Sequence, residues 1–147
     1  MITEDYVSFE TAKLLKEKEF PQNPYICNTA YTLRGKLSNN AKSFVHNFTE
    51  FNKCGIKPLT YSMAPTLQMT MKWLREVHNL CIEPYRTACG YLYTISTIPY
   101  GSCKCNPKEG GDDEDSGQWT TYEGACEAAI RYCLENLITP SSIPENK

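Results

Sequence analysis

The 147-residue chain has no apolar run approaching the ~20 residues that a membrane-spanning helix needs, which excludes a helical membrane protein. Its first residues, MITEDYVSFETAKLLK, lack both the basic start and the apolar stretch of a secretory signal, and place Glu4 and Asp5 where cations would stand. The expectation is a cytosolic protein. Charge of one sign is not in excess either: the formal net charge is −2. A phosphate backbone is held by cations, so this balance argues against nucleic acid as a partner, a local patch aside. There are only two His, and there is no Cys-X2-4-Cys unit, no phosphate-cradling Gly loop and no H-E-x-x-H helix.

What is present is the composition of an ordinary folded protein: 41% hydrophobic and 22% charged residues, with ten Tyr and two Trp as large side chains for a core. A chain of this length buries roughly 68–70% of its unfolded surface and fits one domain, expected over residues 1–138 with a flexible polar tail at 139–147. The eight Cys, read in a reducing compartment, are small buried hydrophobes and not a disulfide framework.

The clearest element is Pro65 to Leu80, PTLQMTMKWLREVHNL. Leu67, Met71, Leu74 and either Val77 or His78 recur along one face of a helix. Pro65 suits its first position, where a missing N–H costs nothing. Lys72, Arg75 and Glu76 point the other way, and Met69 and Trp73 flank the apolar stripe. Ahead of it, Ser8 is a candidate N-cap for a helix from about Phe9 to Lys18, which Pro21 and Pro24 follow. Tyr25 to Leu37 reads as a strand or hairpin turning near Gly35. Ser38 to Thr60 fits either a short helical stripe or one strand.

Beyond the central helix, Leu80 to Pro84 reads as a short strand and Cys89 to Ile98 as a second, with Pro84 to Ala88 as the turn between them. Along the second, Tyr91, Tyr93, Ile95 and Thr97 share one face. Pro99 to Gln118 is an exposed loop carrying Gly, Pro and acidic residues. Gln118 to Thr120 can form an edge strand. Thr120 and Glu123 have the spacing of a capping box for a last helix, whose stripe Tyr122, Ala125, Cys126, Ala129, Ile130, Cys133, Leu134, Leu137 runs to about Ile138. Helices interleaved with short strands predict an α+β fold, an antiparallel β-sheet covered by about three α-helices in a two- or three-layer sandwich.

Three blocks, MITEDYVSFETAKLLKEK, APTLQMTMKWLREVHN and TYEGACEAAIRYCLENLI, together resemble small uncharacterised proteins of gut Bacteroides and their phages or prophages. More distantly, the order of elements looks like the phage α-β-α sandwich domain. The resemblance implies the fold and a phage or prophage setting, and brings no activity or site residues. The chain departs from that pattern at Glu19, where a Gly would close the first helix, and in its long Cys- and Asp-bearing loop.

Three candidate chemistries stand beside blander readings. Asp112, Glu114, Ser116, Gly117 and Glu123 fall at calcium-loop positions, and hard oxygen ligands around a Gly turn suit calcium. Against that, Glu stands at the third position, no helix can precede the loop, and Glu123 has its capping role. Cys103 and Cys105 could bind zinc with two further ligands from Cys89, Cys126, Cys133, His78 or His46, or be two thiols on a loop. Cys81 with His78 could form a nucleophile and base, or both could be core margin.

No cofactor is expected. The sequence reading is of a small accessory or protein-interaction protein without evident catalytic activity. Its partner is a host or phage protein, and a homo-oligomer is compatible with it. The partner surface would be Tyr91, Tyr93 and Trp73, or the exposed loop. The alternatives are a calcium- or zinc-binding protein using the 103–123 loop, or a Cys-dependent enzyme.

Overall fold

The computed structural model describes residues 2–23, 27–40, 61–99, 101, 111–113 and 116–138. The fold is α+β. The chain divides into two compact units, one of Tyr6–Pro65 and one of Met1–Asp5 with Thr66–Lys147. The strands form two antiparallel sheets, one in each unit, where the sequence suggested a single sheet. The stretch whose structure the sequence left open falls, over residues 41–60, outside the described residues, as does the tail at 139–147.

In the unit Tyr6–Pro65, helix α1 (Phe9–Glu17) starts where expected: the Ser8 side chain accepts from the Thr11 amide. It buries Thr11, Ala12 and Leu15. The helix closes through Glu19, whose φ of 67° is the left-handed conformation that favours Gly. The Glu19 amide donates to the Lys16 carbonyl at 3.2 Å and the Phe20 amide to the Leu15 carbonyl at 2.9 Å. Strand β1 (Ala30–Tyr31) lies between β2 (Leu37–Ser38) and β3 (Ser62–Met63), antiparallel to both. Gly35, at φ 79°, closes the β1–β2 turn beneath the Phe9 ring, where an added Cβ would stand 3.2 Å from a ring carbon. Phe9 also meets Tyr31, with ring centroids 5.4 Å apart, and the Tyr31 hydroxyl donates to the Val7 carbonyl.

In the other unit, helix α2 (Leu67–His78) is the central helix of the sequence reading, but Thr66 caps it and Pro65 precedes the cap instead of opening the helix. The Thr66 hydroxyl accepts from the Met69 amide at 3.1 Å, satisfying one of the first-turn amides that have no intrahelical partner. Of the two residues that could end its apolar face, His78 is half-buried and Val77 is 58% exposed. Asn79, in the left-handed conformation, turns the chain into β4 (Leu80–Arg86). Strand β5 (Tyr91–Thr97) pairs with β4 from Leu80↔Thr97 to Arg86↔Tyr91.

The turn of this hairpin is at Thr87–Gly90, three residues beyond the position suggested by Pro84, and Pro84 lies inside a strand. The register explains why it is tolerated. The Thr87 amide donates to the Gly90 carbonyl and the Ile98 amide to the Asn79 carbonyl. Hydrogen-bonded and non-bonded pairs alternate along an antiparallel ladder, so Pro84↔Tyr93 is a non-bonded pair. The nitrogen of Pro84 faces away from β5 and its missing N–H removes no ladder bond.

Helix α3 (Tyr122–Tyr132) runs on as a π-helical turn over Cys133–Leu137 and covers both strands of the hairpin. Its cap is Thr121, whose side chain accepts from the Gly124 amide, one residue later than the expected capping box. Thr120 is otherwise engaged, with Asp112. The core of this unit combines Leu74 of α2, Ile82, Tyr93 and Ile95 of the hairpin, and Ala125, Ala129, Ile130 and Leu134 of the last helix.

Candidate functional site

The residues marked by the sequence as a partner surface divide. Tyr93 is 3% exposed and Trp73 9%, so both belong to the core. Strand alternation puts Tyr93 and Ile95 on the hairpin's inner face, where Tyr93 packs on Trp119 with ring centroids 5.1 Å apart. Trp73 is turned inward on α2, edge-on to His78 at 4.6 Å. Neither can form a contact surface. Tyr91 is half-buried and remains a candidate.

Around Tyr91 the fold gathers three side chains that are scattered in sequence. Arg86 faces it across the hairpin as a non-bonded pair, the closer kind of cross-strand neighbour. The Arg86 guanidinium carbon lies 5.3 Å from the Tyr91 ring centroid, and Nη1 donates to the Tyr91 hydroxyl at 3.3 Å. Tyr122, at the first position of α3, meets the Tyr91 ring edge-on at 6.1 Å and 83°. Gln68 of α2 donates from Nε2 to the Tyr122 hydroxyl at 3.4 Å. Both Tyr91 backbone groups bond to Trp119, at 2.8 and 3.1 Å, which fixes the end of β5 from its outer side. Thr87 holds Gln118 by a hydroxyl-to-amide hydrogen bond. The result is a partly exposed Arg–Tyr–Tyr–Gln cluster on a fixed backbone. Such a cation–π pair is worth about 0.5–1 kcal/mol at an exposed position.

The described residues of the acidic loop are engaged in other hydrogen bonds. Both Asp112 carboxylate oxygens accept from Thr120, from its amide at 2.7 Å and its hydroxyl at 3.0 Å. Ser116 donates to Asp113 at 2.8 Å, and Gly117, at φ 67°, donates its amide to the Asp113 carbonyl. Glu123 stands exposed in the first turn of α3. Cys103, Cys105 and Glu114 lie outside the described residues. Among the described residues, no three His, Cys, Asp or Glu side chains come together in a way that could hold a metal ion.

Four of the described thiols are poor nucleophiles where the structure places them. Burial pushes Cys126 up to about 11 and Cys133 up to about 12. Burial raises Cys27, and burial with the neighbouring Glu83 carboxylate raises Cys81. A thiolate is the reactive form, so each shift suppresses reactivity at neutral pH. Burial lowers the His78 pKa, and its Nε2 is enclosed without a hydrogen-bond partner.

No protein-family model, no curated protein and no solved structure matches this chain. None of its described helices is long and apolar enough to cross a membrane. Arg86 and Tyr122 were not singled out by the sequence: one reads as turn and the other as part of a helix stripe. Only the hairpin register and the start of α3 bring them to Tyr91.

Proposed function

We propose that this protein is a small cytoplasmic accessory protein, of the kind that phages and prophages encode, and that it acts by binding a host or phage protein. The setting rests on the three sequence blocks that resemble such proteins. The binding mode rests on the cluster of Arg86, Tyr91, Tyr122 and Gln68. Tyr and Arg are enriched at protein interfaces because they give large, stiff contact area with polar ends. Here they sit on a paired hairpin and a capped helix, so little side-chain freedom is left to lose on binding. The raised thiols count against a cysteine nucleophile. The Asp112 and Ser116 side chains, each already hydrogen-bonded within the loop, give the metal reading no support.

The test is photocrosslinking in a bacterial cytosol from a benzophenone side chain placed at Ala88, which is exposed at the end of the same hairpin. The expected result is one discrete adduct that disappears in Arg86→Ala and Tyr91→Ala. Absence of an adduct, or one indifferent to both substitutions, refutes the reading.

A further inference from the structure

The net charge of −2 averages over two compact units of opposite sign. Residues 6–65 carry eight Lys or Arg against four Asp or Glu, a net +4; the remainder carries seven against thirteen, a net −6. Within the basic unit the sequence contains no Asp or Glu from Phe20 to Thr49. Total charge therefore does not exclude an anionic partner for this unit.

The β1–β2 hairpin displays two of those cations, Arg34 and Lys36. Its turn reads Thr32-Leu33-Arg34-Gly35-Lys36, with the Thr32 amide donating to the Lys36 carbonyl and the Gly35 amide to the Thr32 carbonyl, both at 2.9 Å. The Lys36 amide bonds the Thr32 hydroxyl, and the Phe9 ring lies over Gly35. The tip is thus held in one shape. Leu33 is 59% exposed and Leu37 38%, on either side of exposed Arg34 and Lys36. Neither cation makes an ion pair among the described residues. A turn tip needs no leucine, and this one presents two.

We infer that the Leu33–Leu37 hairpin is a second docking surface, fitted to an acidic peptide segment with apolar side chains between its carboxylates. Charge complementarity selects an anionic partner, and the leucines select among anionic partners. A nucleic-acid backbone would engage Arg34 and Lys36 but leave Leu33 and Leu37 without apolar contact, whereas an acidic peptide takes all four. A fixed tip also loses little freedom on binding. This extends the interaction reading to the other unit and rests on that reading.

The test uses the full-length protein and fluorescence anisotropy with a labelled peptide of Glu and Leu, a poly-Glu peptide, a Lys and Leu peptide, and single-stranded DNA. The Glu/Leu peptide is expected to bind tightest, and to weaken as salt rises from about 50 to 200 mM. Arg34→Glu with Lys36→Glu should weaken it about tenfold or more, and Leu33→Ser should weaken it while leaving the salt dependence in place. If the reversed pair fails to fold, Arg34→Gln with Lys36→Gln replaces it. Failure of the Glu/Leu peptide to bind, indifference to these substitutions, or tighter binding of DNA each overturns the inference. Arg86→Ala should leave this affinity unchanged, so a failure here is separable from a failure of the Tyr91 surface.

Discussion

Gly90 ends the turn between β4 and β5, and a Cβ built on it would stand 2.6 Å from the Trp119 carbonyl oxygen. Ordinary carbon–oxygen contact begins near 3.4 Å, and the atom in the way is backbone, so Gly90→Ala must push Trp119 away. Trp119 is 6% exposed, exchanges two backbone hydrogen bonds with Tyr91, and packs at a tilt against Tyr93. Losing the two bonds costs about 1 kcal/mol each, and forced overpacking lies in the range of about 1–3 kcal/mol. Together these amount to about 3–5 kcal/mol, which should lower the urea midpoint by roughly 2 M. Trp73 and Trp119, the two tryptophans of the chain, both lie in the unit that contains Gly90, so tryptophan fluorescence follows its unfolding. Gly101→Ala is the control: among the described residues nothing lies within 4 Å of its Cβ, and its φ of 66° costs about 1–2 kcal/mol on its own. A Gly90→Ala midpoint equal to wild type, or no lower than that of Gly101→Ala, would refute the claim that Trp119 is pinned against the turn.

Other substitutions probe the remaining elements. Thr121→Ala should cost about 1 kcal/mol by removing the cap of α3, while Thr120→Ser, which keeps the hydroxyl to Asp112, should change little; urea midpoints distinguish them. Glu19→Gly should stabilise the protein by about 0.5–1 kcal/mol by relieving a positive φ, read as a higher midpoint by far-UV circular dichroism. In native protein at pH 8, iodoacetamide should label exposed Cys89 well before buried Cys126 and Cys133, whose thiols burial raises to about 11 and 12; mass-spectrometric labelling at equal rates would contradict the burial. His78 is held below its ordinary pKa by burial, so the unfolded chain binds the proton more readily. Its neutral form supports the fold above about pH 6.5, and that support is lost as pH falls through the lower folded value. His78→Phe should therefore show a smaller drop in urea midpoint between pH 7.5 and pH 5 than wild type.

Much of the local structure was legible because it rests on short-range rules. Ser8 announces α1, the three- and four-residue recurrence announces α2 and α3, and alternation announces β5 with Tyr93 and Ile95 on a common face. The departures arise where a longer-range contact or the strand register overrode a local signal. Thr120 matched a capping box, yet Asp112 takes its hydroxyl and Thr121 caps instead. Pro84 looked like a turn, yet the register turns its nitrogen outward and lets the strand run on to Arg86.

The candidate sites were less legible than the fold. Tyr91 could be named from composition, but its surroundings could not, because Arg86, Tyr122 and Gln68 belong to different elements and meet only after those elements pack. Whether an aromatic residue is surface or core is likewise a tertiary decision: the alternation that pairs Tyr91 with Tyr93 on one face cannot say that Trp119 and α3 cover one and leave the other half-open. The same holds for charge. The sequence by itself determined the α+β composition, the helix positions and the acid-free stretch from Phe20 to Thr49. Only the tertiary structure decided that the chain forms two units of opposite charge, with Arg34 and Lys36 displayed between exposed leucines on a fixed turn, since exposure depends on what the rest of the chain covers.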